Sequence, residues 1–204
     1  DPLTLSSGAF LNRQQESIAA FRASARVLYY ADGPDLTVTV NNLVSDPQAL
    51  TMRVNGKPDA STIVEDMVDF MLLGHLPRLI GPEGRSACII GLGAGLTLGA
   101  VTADPAFERI DCVEISHEVI GAATYFEPYT RYAVRDPRVR VIPGDGRNHL
   151  LLTPQTYDLI ISQPPNPWLA GVSNLFTREF FKESRARLAP HGAFAVWLQS
   201  YSMS

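Results

Sequence analysis

Basic charge, cysteine and long apolar runs are all scarce in this chain of 204 residues, and each scarcity excludes a class of function. Lys and Arg number 17 against 21 Asp and Glu, a net charge of −4. That balance lacks the clustered cations that a phosphate backbone requires, so no nucleic-acid partner is expected. Only two cysteines occur, Cys88 and Cys112, both inside apolar runs, where they read as inert core thiols and not as a disulfide framework. No apolar run approaches the roughly 20 residues of a membrane helix, and no signal peptide opens the chain. His75, His117, His149 and His191 stand apart from one another and from the cysteines, so no metal site is expected. His75, within an apolar helical stripe, reads as a structural histidine. There is no internal repeat, and the 46% apolar content suits a globular chain with one sizeable core.

The most informative stretch is RSACIIGLGAGLTLGAVTADPAFERIDCVE, from Arg85 to Glu114. Ala87 to Ile90 is a short apolar run of the kind that a strand buried on both faces requires. Gly91, Gly93 and Gly95 follow at alternate positions, where glycine permits positive φ and close approach of the backbone to a ligand, and a helix begins near Leu96. Roughly twenty residues after the turn, a second strand ends on Glu114, a carboxylate placed to accept both hydroxyls of a ribose. A nucleoside-containing cofactor is therefore expected. The glycines read G-x-G-x-G and not the G-x-G-x-x-G of pyrophosphate-binding turns, which favours a cofactor without pyrophosphate, as in S-adenosylmethionine-dependent enzymes.

In chain order, a short amphipathic helix is expected over Asn12 to Ala25, then three strands, Arg26 to Tyr30, Leu36 to Val40 and Leu50 to Val54, forming a small antiparallel meander closed by Asn55-Gly56. Ser61 or Thr62 can cap a helix to about Ile80, with Val64, Met67, Val68, Met71, Leu72 and Leu76 as its apolar stripe. From there strand and helix alternate: Ser116 caps a helix to about Tyr125, Val139 to Ile142 is a strand, Asn148 to Leu152 a helical turn, and Tyr157 to Ser162 a strand. Thr177 caps a helix to Leu188, and Ala193 to Leu198 is the fifth strand. The fold class is thus α/β, a Rossmann-like S-adenosylmethionine-dependent transferase fold with an N-terminal antiparallel β-meander, the last strands of the sheet missing. Residues 1–80 hold helix, meander and connecting helix, and 81–204 the nucleoside-binding domain.

Ligands of open α/β sheets sit outside the carboxyl ends of the strands, which selects the loops after Ile90, Val113, Ile142 and Ser162. After Ile142, PGDGRNHL offers Asp145 either to an adenine amino group, with Gly146 letting the base lie close, or as the cap of the next helix. After the fourth strand, SQPPNPWLAGVSNLF holds Gln163 and Asn166 on a proline-stiffened loop beside Trp168, Leu169 and Phe176, where a transferred group would lie.

A helix ending in GHLP, then IIGLGAG, DCVEIS, DPRVRVIPGDGR, YDLIIS and LFTREFF, in that order behind a meander, closely resembles the spermidine synthase-like aminopropyltransferases. NPWLAGVSNLFTREFFKESRARLAP looks most like a bacterial branch fused to a membrane-spanning segment. The resemblance implies that Gly91, Gly93, Ala94, Gly95, Glu114, Ile115, Asp145, Gly146 and Ser162 bind S-adenosylmethionine or its decarboxylated form, without a metal. It puts Asp59, Phe70 and Trp168 on the acceptor side. It further implies a small-molecule acceptor, a homodimer, and a cytoplasmic location or the cytoplasmic part of a membrane protein.

The family's acids are replaced here. The catalytic aspartate after the fourth strand is Gln163, a second acid three positions on is Asn166, and the acid that pairs with the aminopropyl ammonium falls at Ala94. The tyrosine, histidine and glutamate of the amine channel fall at Asp69, Phe70 and Met71. A polyammonium chain needs paired carboxylates when desolvated, so the expected acceptor is not ordinary putrescine. Methyl transfer, with QPPN partly resembling the N-P-P-aromatic loop of some methyltransferases, is an alternative, as are cleavage or cyclisation of the cofactor and a catalytically silent regulatory domain.

Overall fold

The computed structural model describes residues 20, 23–81, 83–164 and 172–198. The helix expected over Asn12 to Ala25 lies almost wholly outside the described residues, as do Asn166, Trp168 and Leu169.

Four strands, β1 (Ala25–Asp32), β2 (Thr37–Leu43), β3 (Leu50–Val54) and β4 (Lys57–Ser61), form an antiparallel sheet in the order β1-β2-β3-β4. The expected meander had three. Asn55 and Gly56 both take positive φ, 50° and 79°, the twist of a two-residue hairpin turn, so the chain folds straight back onto β3. The segment KPDAS lacks the apolar alternation that announces a strand. Pro58, without an N–H, is tolerated because β4 is an edge strand whose register shifts there.

The second sheet is parallel, β7-β6-β5-β8-β9. It alternates β5 (Ser86–Ile90), α2 (Leu96–Thr102), β6 (Arg109–Glu114), α3 (His117–Ala123), β7 (Val139–Pro143), α4 (Gly146–Leu152), β8 (Tyr157–Ser162), α5 (Arg178–Ala186) and β9 (Leu188–Val196), with α1 (Val64–Ile80) joining the two sheets. The α/β class with an N-terminal meander is as expected. Side chains of Ser116, Asp145 and Thr177 cap α3, α4 and α5 by accepting from Val119, Asn148 and Phe180 N. β9 begins before Ala193 because α5 stops at Ala186, and His191 with positive φ is carried inside the strand at a register shift. Strand order reverses between β5 and β8, which makes their carboxyl ends the switch point where ligands of such sheets bind.

Two expectations for α1 are corrected. Its N-cap is Ile63, with no side-chain cap. Ser61 Oγ donates to Asp66 Oδ2 at 2.6 Å, and Thr62 Oγ1 accepts from Leu50 N at 2.9 Å, so both hydroxyls are engaged elsewhere. The expected stripe is also turned: Val64, Val68, Leu72 and Leu76 are exposed, as is His75, while Met67, Phe70, Leu73, Gly74 and Pro77 pack inward. A helix apolar nearly all round gives periodicity no basis for choosing a side. Gly74 makes the choice, because a Cβ there would lie 2.6 Å from Ala100 Cβ and 3.0 Å from Thr97 O on α2.

Cys88 and Cys112 are fully buried, and burial pushes both thiols well up, which keeps them protonated and unreactive. One feature of the core was not foreseen. Asp111, in the middle of β6, is buried and paired with Arg140 at 3.1 Å; Tyr157 Oη donates to it at 2.7 Å and meets His149 Nε2 at 2.9 Å. Among the described residues no helix is long and apolar enough to cross a membrane.

Replacing Gly74 by leucine, a good helix former, isolates the steric term at the α1–α2 crossing. Chemical denaturation is expected to show a loss of about 1–3 kcal/mol; unchanged stability would mean that the helices do not meet so closely.

Candidate functional site

The sequence between β5 and α2 is shaped by glycine. Gly91, Gly93 and Gly95 have φ of 94°, 52° and 79°, all in the region that side chains avoid. Gly91 N donates to Val113 O at 2.8 Å, and Gln163 N to Ile90 O at 3.0 Å. A Cβ on Gly91 would come within 3.0 Å of Gln163 O and 3.2 Å of Gln163 Cγ. The loop after β8 therefore lies directly on the glycine turn, as the switch-point topology requires.

Glu114 closes the other side. Its carboxylate is buried, 7% exposed, and accepts from Leu92 N at 2.8 Å through Oε2 and from Ser116 N at 3.0 Å through Oε1. Burial raises its pKa above the usual glutamate value, while backbone N–H groups of Ser116, Leu92, Gly93 and Ile115 pull the other way and only partly offset it. The two short bonds, from Leu92 N and Ser116 N, take one position on each oxygen, and the N–H groups of Gly93 and Ile115 face the rest of the carboxylate. Ile115 beside it is 65% exposed, an apolar side chain at the lip of the site.

Asp145 follows β7 and uses Oδ1 to cap α4, accepting from Asn148 N at 2.7 Å. The capping alternative is thus realised, and one carboxylate oxygen suffices for it. Gly146 has a reason of its own: a Cβ there would collide with Ile90 Cγ2, so close packing of α4 on β5 demands glycine whatever lies above. Ser162, at the end of β8, is fully buried with no partner for Oγ among the described residues, and the same holds for Gln163 Oε1. These two atoms belong to consecutive residues at the end of β8, and a ligand is one way to satisfy such buried polar groups. Gln163 Nε2 makes a long contact of 3.4 Å to Leu92 O.

Ala94 is 3% exposed and belongs to the apolar cluster of Val40, Met52, Ala60, Phe126 and the partly buried Met67 and Phe70. A charge there would face apolar walls. Asp59 is paired with Lys57 Nζ at 3.6 Å, and burial pushes its carboxyl up. Asp69 is exposed on α1. Phe70 turns inward, where its carbonyl accepts from Thr97 Oγ1 at 3.2 Å and its ring stacks on Trp197, centroids 6.1 Å apart at 26°. Asn166 and Trp168 lie outside the described residues.

Trp197 is the residue that sequence reasoning missed. It directly follows β9, and its N donates to Ser162 O at 2.9 Å, which sets it beside the loop after β8. The rule that ligands gather at carboxyl strand ends, extended to the fifth strand, reaches this ring.

Residues 67–203 match the spermine/spermidine synthase domain. A polyamine aminopropyltransferase of Desulforudis audaxviator is 27% identical over 191 residues, 94% of this chain and 68% of the relative. Putrescine N-methyltransferase 2 of Nicotiana attenuata is 33% identical over 136 residues, 64% of this chain and 36% of the relative. A solved spermidine synthase in complex with the transition-state analogue AdoDATO superposes with a TM-score of 0.77 at 23% identity, and the spermidine synthase of Thermotoga maritima with 0.72 at 23%. The chain covers 57% and 55% of those two structures, and itself is covered to 84% in each.

Carbon-13 NMR of the Glu114 carboxyl should give a midpoint above the about 4.3 of an exposed glutamate. In the window between the two values the folded chain holds more protons than the unfolded one, so this group's contribution to stability falls as pH rises through it. A midpoint at or below the ordinary value would contradict the burial described above.

Proposed function

The chain belongs to the spermine/spermidine synthase domain family, and from that premise we propose a transferase that binds S-adenosylmethionine or its decarboxylated form and acts on an acceptor other than ordinary putrescine. The observation that carries the reading is the apposition of three groups at one switch point: the glycine turn, the buried Glu114 carboxylate and the Gln163 loop packed on that turn. In this reading Glu114 receives the ribose hydroxyls. The second oxygen of Asp145 takes the adenine amino group, Gly146 and the exposed Ile115 flank the base, and Ser162 Oγ finds its partner on the nucleoside. Ala94 and the Gly91–Gly95 backbone border the sulfur end.

When bound, the cofactor supplies a sulfonium leaving group, so the protein's work is alignment and handling of the amine's proton. Gln163 cannot take a proton. It can accept an N–H hydrogen bond through Oε1, which has no other partner among the described residues, and so orient the nitrogen lone pair at the reacting carbon. Asn166 and Trp168 complete the acceptor side in this proposal, while the ion pair with Lys57 withdraws Asp59 from binding an amine. The same proposal divides the chain into residues 1–80, with the meander and connecting helix, and residues 81–204, the nucleoside-binding domain. The resemblance of Asn166 to Pro190 to membrane-fused relatives supports a domain tethered on the cytoplasmic face, and a homodimer belongs to the same proposal.

A second reading, methyl transfer from intact S-adenosylmethionine, is favoured by the 33% identity to putrescine N-methyltransferases and by Ala94, which offers no acid to repel the methionine carboxylate. Mass spectrometry of products separates the two. Methylthioadenosine from the decarboxylated cofactor supports aminopropyl transfer; S-adenosylhomocysteine from the intact one supports methyl transfer. Calorimetry that detects no binding of either cofactor would overturn both. Glu114→Ala is expected to weaken binding by about 10- to 100-fold, the loss of hydrogen bonds to a charged group.

A further inference from the structure

Resting on that reading, we infer that the acceptor is a flat amine that is neutral at pH 7, an aryl or heteroaryl amine lying against Trp197. Trp197 and Phe70 are stacked at 26° and joined through Ser162 to the loop that carries Gln163. Both rings are only partly buried. An aromatic pair beside a reacting centre presents a planar apolar wall, the surface on which a planar body packs best.

Charge on this side of the site points the same way. No acidic residue occurs from Ser162 through Thr177 or from Gly192 through Ser204, so these two stretches bring no carboxylate to an ammonium. Of the nearby acids on the preceding elements, Asp59 is committed to Lys57 and Asp69 is on the exposed side of α1. A linear diammonium would be desolvated here without counter-charges. An arylamine carries no charge to desolvate.

Gln163 fits such an acceptor better than it fits an alkylamine. An alkylamine is protonated at pH 7 and must lose a proton before it can attack, which calls for a base. An arylamine already has its lone pair free, and one of its N–H groups can donate to the buried Gln163 Oε1, which has no partner among the described residues. The nitrogen then forms a bond to the carbon beside the sulfonium while the C–S bond breaks, its electron pair going to sulfur to leave a neutral thioether. The new arylammonium releases its proton to water.

The test uses the chain saturated with methylthioadenosine, whose own binding by calorimetry tests the nucleoside reading separately. 5-Aminoindole is expected to bind the loaded chain at least tenfold more tightly than putrescine. Trp197→Leu should weaken 5-aminoindole at least fivefold, and Phe70→Leu should weaken it too, with methylthioadenosine affinity reporting that each variant is folded. Putrescine binding as tightly as 5-aminoindole, or 5-aminoindole binding that neither variant alters, would overturn the inference while leaving the nucleoside reading intact. Failure of methylthioadenosine to bind would overturn both.

Discussion

A carboxylate buried at the end of β6 holds the ligand side of the molecule together. Glu114 receives backbone N–H groups from the glycine turn after β5 and from the start of α3, so two loops from neighbouring strands converge on one side chain. The arrangement is costly, since desolvation outweighs those hydrogen bonds and raises the carboxyl pKa. It follows that the turn must bring its N–H groups inward, and it does so only because three of its residues are glycines with positive φ. The same turn then leaves room for Gln163 to lie on it. Glycine pattern, acidic strand end and the loop after β8 are thus one mechanical unit.

The polar cluster lower in the sheet shows a different solution to the same problem. Asp111 is as deeply buried as Glu114 but is satisfied by Arg140 and Tyr157, with His149 completing the chain and tying β6, β7, β8 and α4 together. One buried acid is paired by side chains; the other is held by backbone N–H groups of two loops. That contrast is consistent with the proposed role of Glu114 at the ligand end of β6.

Much of this was legible in the letters. Alternation of strand and helix, the caps Ser116, Asp145 and Thr177, and the buried cysteines all follow from local chemistry. What was not legible depended on tertiary contact. Lys57–Ser61 has no strand pattern and pairs only because the Asn55-Gly56 turn returns it to β3. The inward side of α1 is decided by the fit of Gly74 on α2, which no periodicity encodes. The partners of Asp111 are 29 and 46 residues away, beyond the reach of any local pattern. Trp197 was hidden in a run read as strand, although its place just beyond β9 gives it the position of a site residue.

In the proposed reading the nucleoside half and the acceptor half of the site differ in kind, the first built from backbone and a shared carboxylate, the second from aromatic rings and an amide. A crystal structure of the chain with methylthioadenosine tests the account most directly. It predicts both ribose hydroxyls within hydrogen-bond distance of Glu114, the base between Ile115 and Gly146, and the sulfur end towards Ala94 and Gln163. A nucleoside bound elsewhere, with Glu114 still held by backbone N–H groups alone, would contradict it.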